Sequence, residues 1–321
     1  MEEQEQQARI LKKSQGYIKI IIKDSIEGIY AAAILVKALK NEKKSFGIQW
    51  TTKEIKTNET QHSKLIISIG VKIITEHQAI QLCPERIMIE EIQELVEQIN
   101  PTNDSTVEIV KIYNLATQKE QKGYSVIDIL EIKDLPLQKA LSITTHPFMP
   151  EIAENEEAAI ALCKQAQKQL RQENKIKTLL DLTPAEQTKL LKEIEKKQLA
   201  KRVTHNKIIH KEKPDQAYLV ELCYKKEKRG LALGVLMEDI HAKKEALQLY
   251  IQTQKEFIKI LRQYQKSQKQ EGKDAIIIQL QETKREQQEE LLSYLSRMEC
   301  YPHKTLLVLA PTLEGTTLLL Y

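Results

Sequence analysis

The sequence predicts an α/β protein: a parallel-sheet domain, a helical connector and a smaller α/β domain. Continuous β-branched runs such as "YIKIIIK" (17–23), apolar on both faces, alternate with Ala- and Leu-rich helical segments over the first 150 residues. After "HPFMP" (146–150) that alternation gives way to charged segments of helical period, and strand-like runs return beyond residue 203. These shifts divide the chain into 1–150, 151–202 and 203–321.

In order, the run 17–23 is a strand and "GIYAAAILVKALKNE" (28–42) a helix spaced to pack on a sheet. "FGIQWTT" (46–52), "KLIISIG" (64–70) and "ERIMIEE" (85–91) are the next strands, the last preceded by Pro84. "TVEIVKIYNLAT" (106–117), "YSVIDILEI" (124–132) and "DLPLQKALSI" (134–143) are helical. Successive βαβ units of this kind predict a parallel sheet covered by helices. In the connector, "ENEEAAIALCKQAQKQLRQENK" and "LTPAEQTKLLKEIEKKQLAKR" are helices. Thr183 caps the second, with Pro184 at its first position and Glu186 completing a capping box. Next come a strand at "NKIIHKE" (206–212), two helices broken near Gly230, and a long charged helix over 240–270, its Gln-rich part (263–271) included. Strands at "AIIIQL" (275–280), "KTLLVLA" (304–310) and "TTLLLY" (316–321) complete the chain.

Composition narrows the function. The chain has 321 residues, enough for two cores, with 41% hydrophobic, 29% charged and 5% aromatic residues, as in a water-soluble globular protein. No apolar run approaches the ~20 residues of a membrane span, and the charged N-terminus lacks a signal-peptide core, so a cytoplasmic location is expected. Cys83, Cys163, Cys223 and Cys300 form no C-x-x-C pair, and free thiols rather than zinc ligands are expected. The net charge of +4 is unevenly spread. Lys196, Lys197, Lys201, Arg202, Lys207, Lys211 and Lys213 face a single acid, Glu212; Lys225, Lys226, Lys228 and Arg229 form a second basic knot. Either set could follow a phosphate backbone, and either could be a solvated helix end. Trp50 on its strand reads as core packing against base stacking, His146 as a loop residue against a ligand, and Gly28 as the glycine of a tight strand-to-helix turn against a phosphate-approach glycine.

The turn "KDSIEG" (23–28) is laid out like a phosphate or metal site, between a strand and an Ala-rich helix, yet offers few ligands. With "YIKIIIKDSIEGIYAAAILVKAL", "KLIISIG", "PERIMIEEIQ", "QINP", "THPFMPEIAENEEAA", "IKTLLDLTPAEQTKLL" and "LVELCYKKEKRGLALGVLMED", the chain resembles the DHH phosphoesterases, in particular their archaeal RecJ-like branch. The resemblance implies a DHH domain and a smaller DHH-associated domain. Members of that family hydrolyse phosphodiesters with a pair of Mn²⁺ or Mg²⁺ ions held by carboxylates and imidazoles.

At the matching positions the imidazoles and several aspartates are replaced, leaving Glu27, Glu90, Glu91 and Asp134 as carboxylates. Lys23 replaces the histidine of the first motif, and Ser25 and Glu27 its aspartates; Ser68 replaces the aspartate of the second. Glu90, Glu91 and Ile92 stand for the naming triplet, and Asp134 matches the last aspartate. Neutral hydroxyls bind divalent ions weakly, Ile92 has no ligand atom, and the Lys23 cation opposes a metal. Glycines after Gly234 are confined to Gly272 and Gly315, so the family's Gly-rich substrate loop has no counterpart.

The expectation is therefore an inactive RecJ-like subunit with no metal cofactor. It would partner an active RecJ-like paralogue or replication or RNA-processing machinery, with single-stranded DNA or RNA as a further contact. The competing readings are an exonuclease with a reduced metal set and a stand-alone single-strand binding module. The vestigial positions Ser25, Glu27, Ser68, Glu90, Glu91 and Asp134 are expected at the carboxyl edge of the sheet, with Lys23 paired to a carboxylate.

Overall fold

The structure is a computed structural model that describes residues 2–56, 65–75, 78–83, 87–100, 104–117, 135–145, 148–166, 171–172, 175–176, 178, 181–197, 215–281, 283–297, 300–301, 303–312 and 315–320. It is a mixed α/β protein whose chain forms two compact units: Met1–Lys119 with Glu212–Leu249, and Glu120–Lys211 with Tyr250–Tyr321.

The first stretch of chain contains α1 (Glu2–Lys13), β1 (Tyr17–Lys23), α2 (Ile26–Asn41), β2 (Ser45–Thr51), β3 (Ile55–Lys56), β4 (Leu65–Ile69), β5 (Ile73–Ile74), β6 (Ala79–Leu82), α3 (Ile89–Ile99) and α4 (Asp104–Thr117). Then follow α5 (Leu137–Ile143), α6 (Glu156–Ala166), β7 (Arg171–Gln172), β8 (Lys175–Ile176) and α7 (Pro184–Lys197). Next are α8 (Asp215–Lys225), α9 (Arg229–Leu236) and α10 (Ile240–Lys266). The last elements are β9 (Gln268–Glu271), β10 (Ala275–Gln279), α11 (Arg285–Arg297), β11 (Thr305–Thr312) and β12 (Gly315–Leu320).

The first unit is built on a four-stranded sheet of order β2-β1-β4-β6. All its pairings are parallel, with Ile22 opposite Trp50 and Ile69, and Ser68 opposite Gln81. Every residue of β4 is buried, and Ile18 and Ile20 to Ile22 in β1 have no exposure, as a sheet covered on both faces requires. Helix α2 is buried from Gly28 to Leu39, which explains its Ala-rich, all-round apolar sequence. The short parallel pair β3–β5 stands apart from the main sheet, and Gln81 fastens to β5 by donating to the Ile73 carbonyl and accepting from its amide.

The second unit holds a mixed sheet of order β12-β11-β10-β9, in which only β10 and β11 are parallel. Its core joins Phe148, Phe257, Leu261, Ile278, Tyr294 and Val308, with Phe257 edge-on to Tyr294 at 5.8 Å. Arg262 braces this core from α10, donating to the Ala153 carbonyl at 2.7 Å and to Glu154 at 2.8 Å. The expected capping box is formed: the Thr183 amide donates to Glu186 at 2.9 Å, and the Glu186 amide to the Thr183 hydroxyl at 3.3 Å.

The structure corrects several expectations. Of the strand expected at 85–91, the described residues 87–91 are not a strand. The fourth strand is Ala79–Leu82, and Ile89 opens α3, where Ile89, Ile92, Leu95, Val96 and Ile99 are buried at helical spacing. The first connector helix is described to Ala166, and the antiparallel pair β7–β8 stands where its last turns were expected. The long helix ends at Lys266, and the Gln-rich stretch pairs as β9. By their contacts α8, α9 and the start of α10 group with the first unit, because α8 and α9 pack on α4 and α2. The helix expected at 124–132 and the strand expected at 206–212 lie outside the described residues. Among the described residues no helix is long and apolar enough to cross a membrane.

Candidate functional site

Because β2, β1, β4 and β6 are parallel, their carboxyl ends lie along one edge of the sheet, where ligand sites of open α/β folds form. Lys23 ends β1 and is exposed. The next amide, of Asp24, donates to the Thr51 carbonyl at the end of β2 at 2.7 Å. On the other side, the Gly70 amide donates to the Leu82 carbonyl of β6 at 3.0 Å. A Cβ on Gly70 would lie 3.2 Å from the Lys23 Cβ and 2.4 Å from the Ile87 side chain. Gly70 also has φ +67°, so this turn requires glycine for both space and backbone.

The turn from β1 into α2 is equally constrained. The Ser25 Oγ accepts from the Gly28 amide at 3.1 Å and is the N-cap of α2, with Glu27 in the first turn. A Cβ on Gly28 would stand 2.2 Å from the Lys23 carbonyl oxygen, so the turn needs glycine for close approach.

The strongest feature of the edge is one that sequence reasoning missed. Both oxygens of the Asp24 carboxylate are held by Arg229, from Nε at 2.9 Å and from the terminal nitrogen at 2.8 Å. The two side chains are 16% and 20% exposed. Such two-pronged charge-assisted bonds are the strong ones. Tyr224 supports the pair: its hydroxyl donates to the Asp24 carbonyl at 3.3 Å, and its ring lies 5.4 Å from the Arg229 guanidinium carbon. Burial, reinforced by the charges of Asp24 and Glu27 and offset by Arg229, raises the Tyr224 pKa, so the phenol stays protonated and a donor.

The other positions fall as follows. Ser68 lies in β4 with no exposure, and among the described residues its Oγ has no hydrogen-bond partner. Glu90 and Glu91 sit in the first turn of α3 rather than at a strand end, and Ile92 is a core residue of that helix. The residue just after the fourth strand is Cys83, with φ +49°. Its thiol donates to Glu91 at 2.9 Å; burial, then that bond, pushes its pKa up to about 12. Asp134 lies outside the described residues. Among the described residues no carboxylate pairs with Lys23.

Several basic residues are engaged locally. Lys196 pairs with Glu193 at 2.6 Å, Lys197 with Glu151 at 2.6 Å and Lys228 with Glu245 at 3.3 Å. Exposed pairs of this kind are worth about 0–1 kcal/mol and leave their lysines open to competing anions. Arg229 differs, since it is spent inside the unit on Asp24. Lys225 and Lys226 are exposed at the end of α8. Lys201, Arg202, Lys207, Lys211 and Lys213 lie outside the described residues.

A pair of divalent ions needs several hard oxygens, and usually imidazoles, converging on one centre. Here the Asp24 oxygens are held by a guanidinium, the Ser25 oxygen caps a helix, and Ile92 offers none. Among the described residues no three His, Cys, Asp or Glu side chains are grouped to hold a metal ion. The described donors do not fit such a centre.

Comparison with known proteins adds a match and a set of distant likenesses. Residues 133–210 match the family model of the DHH-CID domain, within a segment that belongs to the second unit. No curated protein matches the chain in sequence. Among solved structures, the chain is similar to CDC45 from Entamoeba histolytica, with 9% identity, TM-score 0.48, and coverage of 96% of this chain and 84% of that one. It is also similar to the Mn²⁺ complex of RecJ from Thermus thermophilus, with 12% identity and TM-score 0.43, covering 97% of this chain and 46% of that one. A manganese-bound exonuclease RecJ gives 11% identity and TM-score 0.43, with 96% and 80% covered.

Proposed function

We propose that this chain is a catalytically inactive, RecJ-like member of the DHH phosphoesterase family. It works in the cytoplasm as a non-catalytic subunit in nucleic-acid processing. Its partner is an active RecJ-like paralogue of the same archaeal branch, or a replication or RNA-processing assembly. It uses no Mn²⁺ or Mg²⁺ of its own.

The observation that carries this reading is the ion pair at the end of β1. Where a phosphodiesterase of this family needs carboxylates facing a metal, the chain has Ser25 capping α2, and the neighbouring carboxylate, Asp24, is closed on both oxygens by Arg229. The DHH-CID match over 133–210 supports the family, alongside the motif resemblance in the first 150 residues. By neutralising Asp24, Arg229 favours a folded scaffold over a turnover site.

The test is a direct assay of the purified full chain with single-stranded DNA and RNA in Mn²⁺ and in Mg²⁺. The expected result is no shortening of either strand, together with a stable complex when an intact RecJ-like paralogue is added. Metal-dependent shortening that disappears in Asp24→Asn or Glu90→Gln would overturn it.

A further inference from the structure

Helix α9 is fastened to α2 at both ends by ion pairs. At its first residue, Arg229 grips Asp24 at the entrance to α2; just past its last turn, Glu238 meets Lys37 of α2 at 3.4 Å. Both α9 charges oppose that helix's own dipole, which favours anions at the N-terminus and cations at the C-terminus. On α2 the arrangement is reversed: Asp24 precedes its N-terminus and Lys37 lies towards its C-terminal end, each where the dipole welcomes it. The end charges of α9 are thus stabilised by α2 and not by α9 itself.

The apolar anchoring of α9, against α2 and α8, is a short strip. Within RGLALGVL only Ala232, Val235 and Leu236 are buried. Among the described residues, Lys228 supplies no side-chain cap and nothing lies within 4 Å of a Cβ built on Gly230. At Gly234 the helix comes close to α10, where an added Cβ would be 2.6 Å from the Ala242 Cβ. Docking therefore leans on two end charges and a short apolar strip, while the central strand β4 of the sheet is buried throughout.

We propose that α9 is an electrostatic latch over the carboxyl edge of the parallel sheet. Its release frees the Asp24 carboxylate and the Arg229 guanidinium together, without unfolding β1, β4 or α2. The edge then has two states. In the closed state Asp24 is the internal anion of Arg229; in the open state Arg229 joins the exposed Lys225 and Lys226 as a group for an external anion. The proposal does not depend on the chain being inactive, since a latch could serve an active or an inactive edge.

Native-state hydrogen exchange of the whole chain tests it, read at the amides of Ala232, Met237 and Glu238, which donate within or just beyond α9. Asp24→Asn should speed their exchange about tenfold while the amides of β1 and α2 keep their protection. Lys37→Met, acting from the other end, should speed the same amides, by less because its pair is longer and Glu238 is exposed. Unchanged α9 rates in both variants would overturn the latch. So would acceleration shared equally by α9, β1 and α2, because that would mean α9 opens only when the unit unfolds.

Discussion

The two principal sheets each contain four strands, yet only the first gathers its strand ends on one side. With β2, β1, β4 and β6 all parallel, that edge collects a glycine of positive φ, a strained cysteine, a helix cap and a two-pronged ion pair. In the second sheet β9 and β12 run against β10 and β11, so each end mixes starts and finishes of strands. Its polar groups brace the core from outside, as Arg262 does, and β9 is exposed along its whole length. Strand direction thus decides which sheet gathers its carboxyl ends along one edge.

The sharpest test of that contrast is a pair of glycines. Gly28→Val should destabilise the first unit by about 3 kcal/mol or more, since the new Cβ meets a backbone carbonyl that cannot move aside. Gly272→Ala, whose Cβ would find its nearest neighbour at 3.4 Å, should stay within about 1 kcal/mol in denaturant unfolding. Equal losses at the two sites would remove the contrast.

Next come two ion pairs. Arg229→Met should cost about 2 kcal/mol, because it leaves a mostly buried Asp24 carboxylate without its cation. Lys304→Met breaks the pair with Glu271, whose side chain is 63% exposed, and should cost less than about 1 kcal/mol. Thermal melts of both variants give the comparison, and a larger loss for Lys304→Met would reverse it.

Two hydroxyls give the smallest effects, with opposite signs. Ser68→Ala should stabilise the first unit by about 1 kcal/mol, since the buried Oγ has no partner to lose. Thr183→Ala should destabilise the second by about 0.5–1 kcal/mol, through loss of the capping box. A destabilised Ser68→Ala would mean that hydroxyl has a bonding role that the described residues do not reveal.

What the sequence made legible was local. Thr183 and Glu186 are three residues apart, so their capping box could be read directly, and β1 and β4 declared themselves by continuous apolar runs. The error at 85–91 had a local cause too. Ile87 and Ile89 alternate like strand residues, but Ile89 also begins the helical series continued by Ile92 and Val96, while the true strand offers only four residues. The central feature of the edge was not legible at all. Asp24 and Arg229 are 205 positions apart, and Arg229 sits in a basic knot that charge counting assigns to the surface. Only the helices that bring α9 onto α2 disclose the pair.

That separation has a consequence for how the protein is made. The first unit closes only when Glu212–Leu249 joins Met1–Lys119, after the segment between them has been synthesised. At about 5–20 residues per second, roughly 10–40 s pass between the emergence of Asp24 and that of Arg229 from a ribosome. Throughout that interval the nascent α2, apolar on every side, lacks the helix that later covers part of it. The carboxyl edge is therefore finished late in biosynthesis, and a ribosome that stalls before residue 229 leaves a half-built unit with one face of α2 uncovered for chaperones to hold.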